Sequence, residues 1–164
     1  MATSFSSSIT INFSVNYQNL NDFTNAVDAF AKGYTFSLTD GTGANQAQKF
    51  FRDQRSVNAS SNDDIDLAGS LLDPFGQTLT FTVIKGIWIS SDAANLSNLT
   101  IGNAASNQFA TWLGAVTHTV GPILPGGWFG IYRPDAAGYT VTAGTGDLLR
   151  IANGAGGTAV YDII

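Results

Sequence analysis

Apolar and polar residues alternate strictly along "SITINFSVNY", residues 8–17, placing Ile9, Ile11, Phe13, Val15 and Tyr17 on one side. A period of two is that of a strand with one covered face. In "NLNDFTNAVDAFAKG" the spacing changes: Phe23, Val27 and Phe30 recur at helical intervals, Asn21 can cap the first turn and Gly33 follows the last. This spacing predicts one short helix within residues 21–32. "YTFSL" (34–38) returns to the strand pattern and ends at Asp40-Gly41, a turn pair.

Strand signals then follow at 48–58, 65–72 and 78–90, the last changing phase at Gly86 as a bulge would. "DPFG" (73–76) turns the chain between 65–72 and 78–90, and shorter segments at 99–103, 108–114, 118–124, 126–134, 138–144, 147–153 and 158–164 alternate with turns such as Gly102-Asn103, Pro125-Gly126-Gly127 and Pro134-Asp135. Many short strands punctuated at this spacing predict an all-β domain, a β-sandwich or jelly roll, and not a βαβ fold. At 164 residues the chain fits a single domain over 8–164 preceded by an N-terminal arm over 1–7.

Composition sharpens this reading. All twelve acidic residues are Asp, there are 18 Gly, and charged residues make up 12% of the chain. Asp favours caps and turns, where Glu would favour helix interiors. Seven basic residues against twelve acids, a net charge of −5, give no cationic footprint for a phosphate backbone, so no nucleic-acid partner is expected. With no cysteine, thiolate metal sites and thiol chemistry are excluded. "MATSFSSSIT" lacks the charged and apolar regions of a signal peptide, and no apolar run reaches the ~20 residues of a membrane helix. Neither Sec export nor a membrane partner is expected.

Candidate chemistry is sparse. Gly154-x-Gly156-x-x-Ala159 has the spacing of a dinucleotide loop, but a β-branched stretch follows it where a helix N-terminus must receive the pyrophosphate. The expected role is the loop of a C-terminal hairpin between 147–153 and 158–164. "NDDIDLAG" (62–69) resembles a calcium loop at Asp64, Asp66 and Gly69, yet lacks the later ligands, leaving at most an incidental cation at Asp63, Asp64 and Asp66. His118 is the single histidine and has no Asp or Ser beside it in sequence; a catalytic role needs partners assembled by folding. No catalytic, cofactor or metal residue is therefore assigned. Trp88 sits in an apolar strand and is expected in the core, whereas Trp112, Trp128 and Tyr132 adjoin loops where aromatic side chains form partner hot spots or sugar-stacking platforms.

Three stretches together, "LTDGTGANQAQKFFRDQRSV" (38–57), "IDLAGSLLDPFGQTLTFTVIKGIWI" (65–89) and the segment from "PGG" at 125–127 through "GYTVTAGTGDLLRIANGAGGTAVYDII" at 138–164, resemble a family of small virion-associated proteins of tailed bacteriophages. The resemblance implies an all-β head decoration or cement protein with no cofactor. It would be made in the host cytoplasm, carried on the capsid exterior, bound to the major capsid protein and assembled as a homotrimer. Phe5 in the N-terminal arm and Ile9, Ile11 and Phe13 on the first strand, with Trp112, Trp128 and Tyr132, are the expected contact residues. An alternative role is a carbohydrate-binding or host-adsorption module using Trp112, Trp128 and Tyr132.

Overall fold

The computed structural model describes residues 4–20, 24–69 and 71–164. In chain order its strands are β1 (Ser6–Leu20), β2 (Asn25–Asp40), β3 (Gln46–Ala47), β4 (Asp53–Val57), β5 (Asn62–Asp66), β6 (Leu71–Leu72), β7 (Thr78–Leu79) and β8 (Val83–Ile84). They continue as β9 (Gly86–Ser91), β10 (Leu99–Gly102), β11 (Thr119–Ile123), β12 (Trp128–Tyr132), β13 (Tyr139–Thr140), β14 (Leu148–Asn153) and β15 (Ala159–Ile163). The all-β class holds.

Two four-stranded antiparallel sheets form the body, one ordered β12-β9-β15-β4 and the other β11-β10-β14-β5. Read side by side, each strand of one sheet occupies the rank of its chain neighbour in the other: β12 with β11, β9 with β10, β15 with β14, β4 with β5. The four connections 58–61, 92–98, 124–127 and 154–158 therefore all cross between sheets at one end of the body. Alternation supplies the core: Ile87 and Ile89 of β9, Tyr161 and Ile163 of β15, Ile101 of β10 and Leu149 and Ile151 of β14 all point inward and are buried.

The expected C-terminal hairpin is not formed. β14 and β15 belong to different sheets, so "GAGG" is a crossover and not a hairpin loop. Asn153 holds this crossover in place. Its side-chain amide donates to the carbonyls of Val57, Asn58 and Gly157, tying the end of β14 to the neighbouring crossover 58–61 and to the turn that leads into β15. Gly156 passes so close to the Leu96 carbonyl that a Cβ would lie 2.2 Å from it.

The helix expected within 21–32 is also overturned. Residues 25–32 lie in β2, and the proposed cap Asn21 and first apolar residue Phe23 fall outside the described residues. β1 pairs with β2 over its whole length, from Ser6–Thr39 to Leu20–Asn25. Fifteen partners in β1 satisfy backbone groups that a lone helix of two or three turns would leave half unmet at its ends. The boundary expected between 7 and 8 thus falls inside β1, and the arm is a hairpin about 50 Å long at ~3.3 Å per residue.

Two smaller differences share one cause, turn geometry. The long signal at 78–90 breaks at 80–82 and again at Lys85 into β7, paired with β6, β8, paired with β13, and β9, paired with β12 and β15. The expected strand at 108–114 is a turn instead: Leu113 N–H bonds the Ala110 carbonyl and the Trp112 indole donates to Phe109. At the base of the arm the buried Lys85 ammonium donates to the carbonyls of Gly43, Asp135 and Ala136, tying loop 41–45 to loop 133–138.

Candidate functional site

Surface features at the two ends of the body differ. At the end carrying the four crossovers, Leu96 and Leu124 are 79% and 58% exposed and Trp128 is 52% exposed. Trp128 opens β12, opposite Ser90 of β9. Its ring stacks on Trp88, centroids 4.2 Å apart and planes 17° apart. Gly130, paired with Trp88, makes room for this: a Cβ there would come within 2.8 Å of the Trp88 ring. Trp88 therefore lies on the outer face of its sheet, half-buried, and not in the core as its apolar neighbours suggest. Ile87 and Ile89 take the core positions on either side of it.

The aromatic row continues toward the opposite end. Tyr132 lies on the same outer face of β12, and its ring packs 5.1 Å from that of Phe36 on β2 while its hydroxyl donates to the Ser37 carbonyl. Here the arm leaves the body. Between arm base and sheet runs a groove of about 770 Å³, lined among others by Ile9, Phe36, Phe50, Phe81, Trp88 and Tyr132. Phe5 packs against Phe50 at its mouth, at 6.4 Å between ring centroids.

Beyond the body the arm carries one apolar face. Side chains at odd positions of β1 and even positions of β2 share that face. Ile11 is half-buried; Phe13, Val15, Tyr17, Phe30 and Tyr34 are exposed. At the base of the arm Leu38 is buried.

Of the seven residues anticipated as contacts, Phe5, Ile9, Ile11 and Phe13 line up along the arm, and Tyr132 joins them at its base. Trp128 is exposed at the crossover end. Trp112 is not a surface platform: it is half-buried against Phe129, 5.5 Å between ring centroids, and packs on the core. Leu96 and Leu124 were missed because single apolar residues in loops carry no periodicity. Tyr34 and Phe36 were read in a strand, but the helical spacing of Val27 and Phe30 hid that Phe30 belongs to the same face.

The carboxylates and histidine singled out in the sequence are absorbed by structure. Asp63 points inward from β5 and accepts from Arg55 of β4 at 2.7 and 2.9 Å and from the Tyr161 hydroxyl at 2.7 Å, which closes the edge between the sheets. Burial draws the Asp63 carboxyl upward, but the bonds from Arg55 and Tyr161 outweigh it and hold the group below its ordinary value. Burial, and then Asp63 itself, raise the Tyr161 phenol well above its usual range. Asp64, one residue on, points outward and takes a bidentate bond from Arg150 at 2.6 and 2.7 Å. Asp66 accepts the Ala68 N–H. Of the three carboxylates considered for a cation, Asp63 thus faces away from Asp64, and each has protein partners. Among the described residues, no three His, Asp or Glu side chains converge as a metal site. His118 is exposed, its Nδ1 bonded to the Leu113 carbonyl, and it forms no ion pair among the described residues.

Comparison with protein-family models, with curated proteins and with solved structures gave no match to this chain.

Proposed function

We propose that this is a non-enzymatic structural protein of a virus particle, a decoration or cement protein that binds the outer shell of a tailed-phage head. The observation that carries the reading is the separation of two exposed apolar surfaces by a packed two-sheet body: Leu96, Leu124 and Trp128 at the crossover end, the arm face at the other. A bridging protein needs two such attachments, and it needs a body that does not deform between them. The paired strand orders support reading that body as a jelly roll, an architecture common among viral shell proteins. The motifs at 38–57, 65–89 and 125–164 supply the link to phage heads. In this reading the crossover end meets the major capsid protein, because exposed Trp and Leu side chains make anchors for a protein partner.

The test is reconstitution. Purified protein added to particles lacking it should bind stoichiometrically and raise their tolerance of heat, and Trp128→Ala with Leu124→Ser should abolish both effects. Binding without Trp128 and Leu124, or heads whose heat tolerance is the same with and without the protein, would refute the proposal.

A second reading is favoured by one observation, the stacked Trp88–Trp128 pair with Trp128 half exposed, which is the form of a sugar platform. Glycan-array binding lost in Trp128→Ala would support an adsorption role in place of shell binding.

A further inference from the structure

We infer that the arm face is covered by the arm of a second copy of this chain, packed antiparallel across a twofold axis level with Val15 and Phe30. A two-stranded ribbon with no covered face is marginal in water, and the outer part of this arm has neither a third strand nor a packed layer. Phe13, Val15, Phe30 and Tyr34 are each about half exposed and Tyr17 is 74% exposed. At ~150–250 Å² for a large aromatic side chain, these residues offer on the order of 500 Å² of contiguous apolar surface. That approaches the ~600 Å² per partner at the lower end of specific interfaces, before Ile9, Ile11 and the flanking polar atoms are added.

Charge identifies the occupant. The face carries two charged residues on β2, Lys32 opposite Phe13 and Asp28 opposite Tyr17, and Phe30 lies midway between them. Lys32 and Asp28 are about 13 Å apart at ~3.3 Å per residue. Neither forms an ion pair among the described residues. Rotating a second arm by half a turn about an axis across the strands at Phe30 lays Phe30 on Phe30, Val15 on Val15 and Phe13 on Tyr17. It also lays each Lys32 over the other copy's Asp28, so the face is its own complement, as an isologous contact requires. Parallel packing of two or three arms does the opposite. It gathers like charges at one level, Lys32 with Lys32 and Asp28 with Asp28, inside an apolar layer where they are least screened. The charge pattern thus selects a twofold pair over the threefold assembly that the family resemblance implies.

Pairing of arms is a property of the free chain, so it can hold or fail independently of what the crossover end binds. Light scattering after gel filtration should give the mass of a dimer. Lys32→Asp or Asp28→Lys alone should weaken the dimer on the order of a hundredfold, since each turns both cross-copy ion pairs into like-charge contacts. The double reversal, Lys32→Asp with Asp28→Lys, should restore wild-type affinity to within a few-fold, and this recovery also shows that the single variants had not simply misfolded. A trimer, a chain monomeric at about 100 µM, or a double reversal that stays as weak as the singles would overturn the inference.

Discussion

The hydroxyl of Tyr161 donates to Oδ2 of Asp63 at 2.7 Å and so joins the two sheets through a side chain that is itself 1% exposed. Arg55 completes the set from a neighbouring strand. The carboxylate is held low by its donors, so its contribution to stability is present above the ordinary carboxylate value, about 4, and is lost as pH falls below it. The phenol is raised, so its contribution is present below about 10, the unfolded value, and declines as pH rises beyond it. Tyr161→Phe should cost about 1–2 kcal/mol in urea unfolding at pH 7. It should also flatten the loss of stability between pH 4 and pH 2. An unchanged acid limb would separate Tyr161 from the titration of Asp63.

Asn153 holds the crossover between β14 and β15 by donating to three carbonyls. Asn153→Ala leaves buried acceptors unmet and should cost about 1–3 kcal/mol. Asn153→Asp should be worse, since a carboxylate meets those carbonyls with no proton to give. Thermal unfolding of the two variants measures the order directly; Asp milder than Ala would contradict it.

Gly156→Ala places a methyl 2.2 Å from the Leu96 carbonyl, a backbone atom that cannot swing aside. Loss of stability by more than about 1 kcal/mol is expected, as for other overpacked sites. Gly157→Ala, where only the flexible Leu96 side chain is near, meets no such contact but does meet a φ of +143° that favours glycine. Both should be destabilised, with Gly156→Ala the more so.

Gly130→Ala brings its Cβ within 2.8 Å of the Trp88 ring. The ring is on the outer face and can move, so stability should change by less than about 1 kcal/mol while the Trp88–Trp128 stack opens. A change in near-ultraviolet circular dichroism with an unchanged unfolding midpoint is the expected pair of results.

Hydrogen exchange should divide the molecule. Amides of Ile101, Ile151 and Tyr161 sit in buried ladders and should exchange only with global opening, whereas those of β1 and β2 beyond Ile11 should exchange faster by local opening. If the arms pair, protection from Phe13 to Tyr34 should rise with protein concentration.

The alternation of Ile9, Ile11, Phe13, Val15 and Tyr17, the absence of Glu and the regular turn signals were enough to determine that this chain builds strands and which side chains share a face. Period and turn chemistry are local, so they are written in the sequence. Pairing is not local. Val27 and Phe30 fit a helix until β1 offers fifteen partners, and "GAGG" fits a hairpin until Asn153 meets Val57, a residue 96 positions away. Trp88 fits a core until Gly130 opens a place for it on the outer face. Tertiary structure decided these three because each depends on which distant backbone satisfies a hydrogen bond or leaves room for a ring, and no window of neighbouring residues contains that partner.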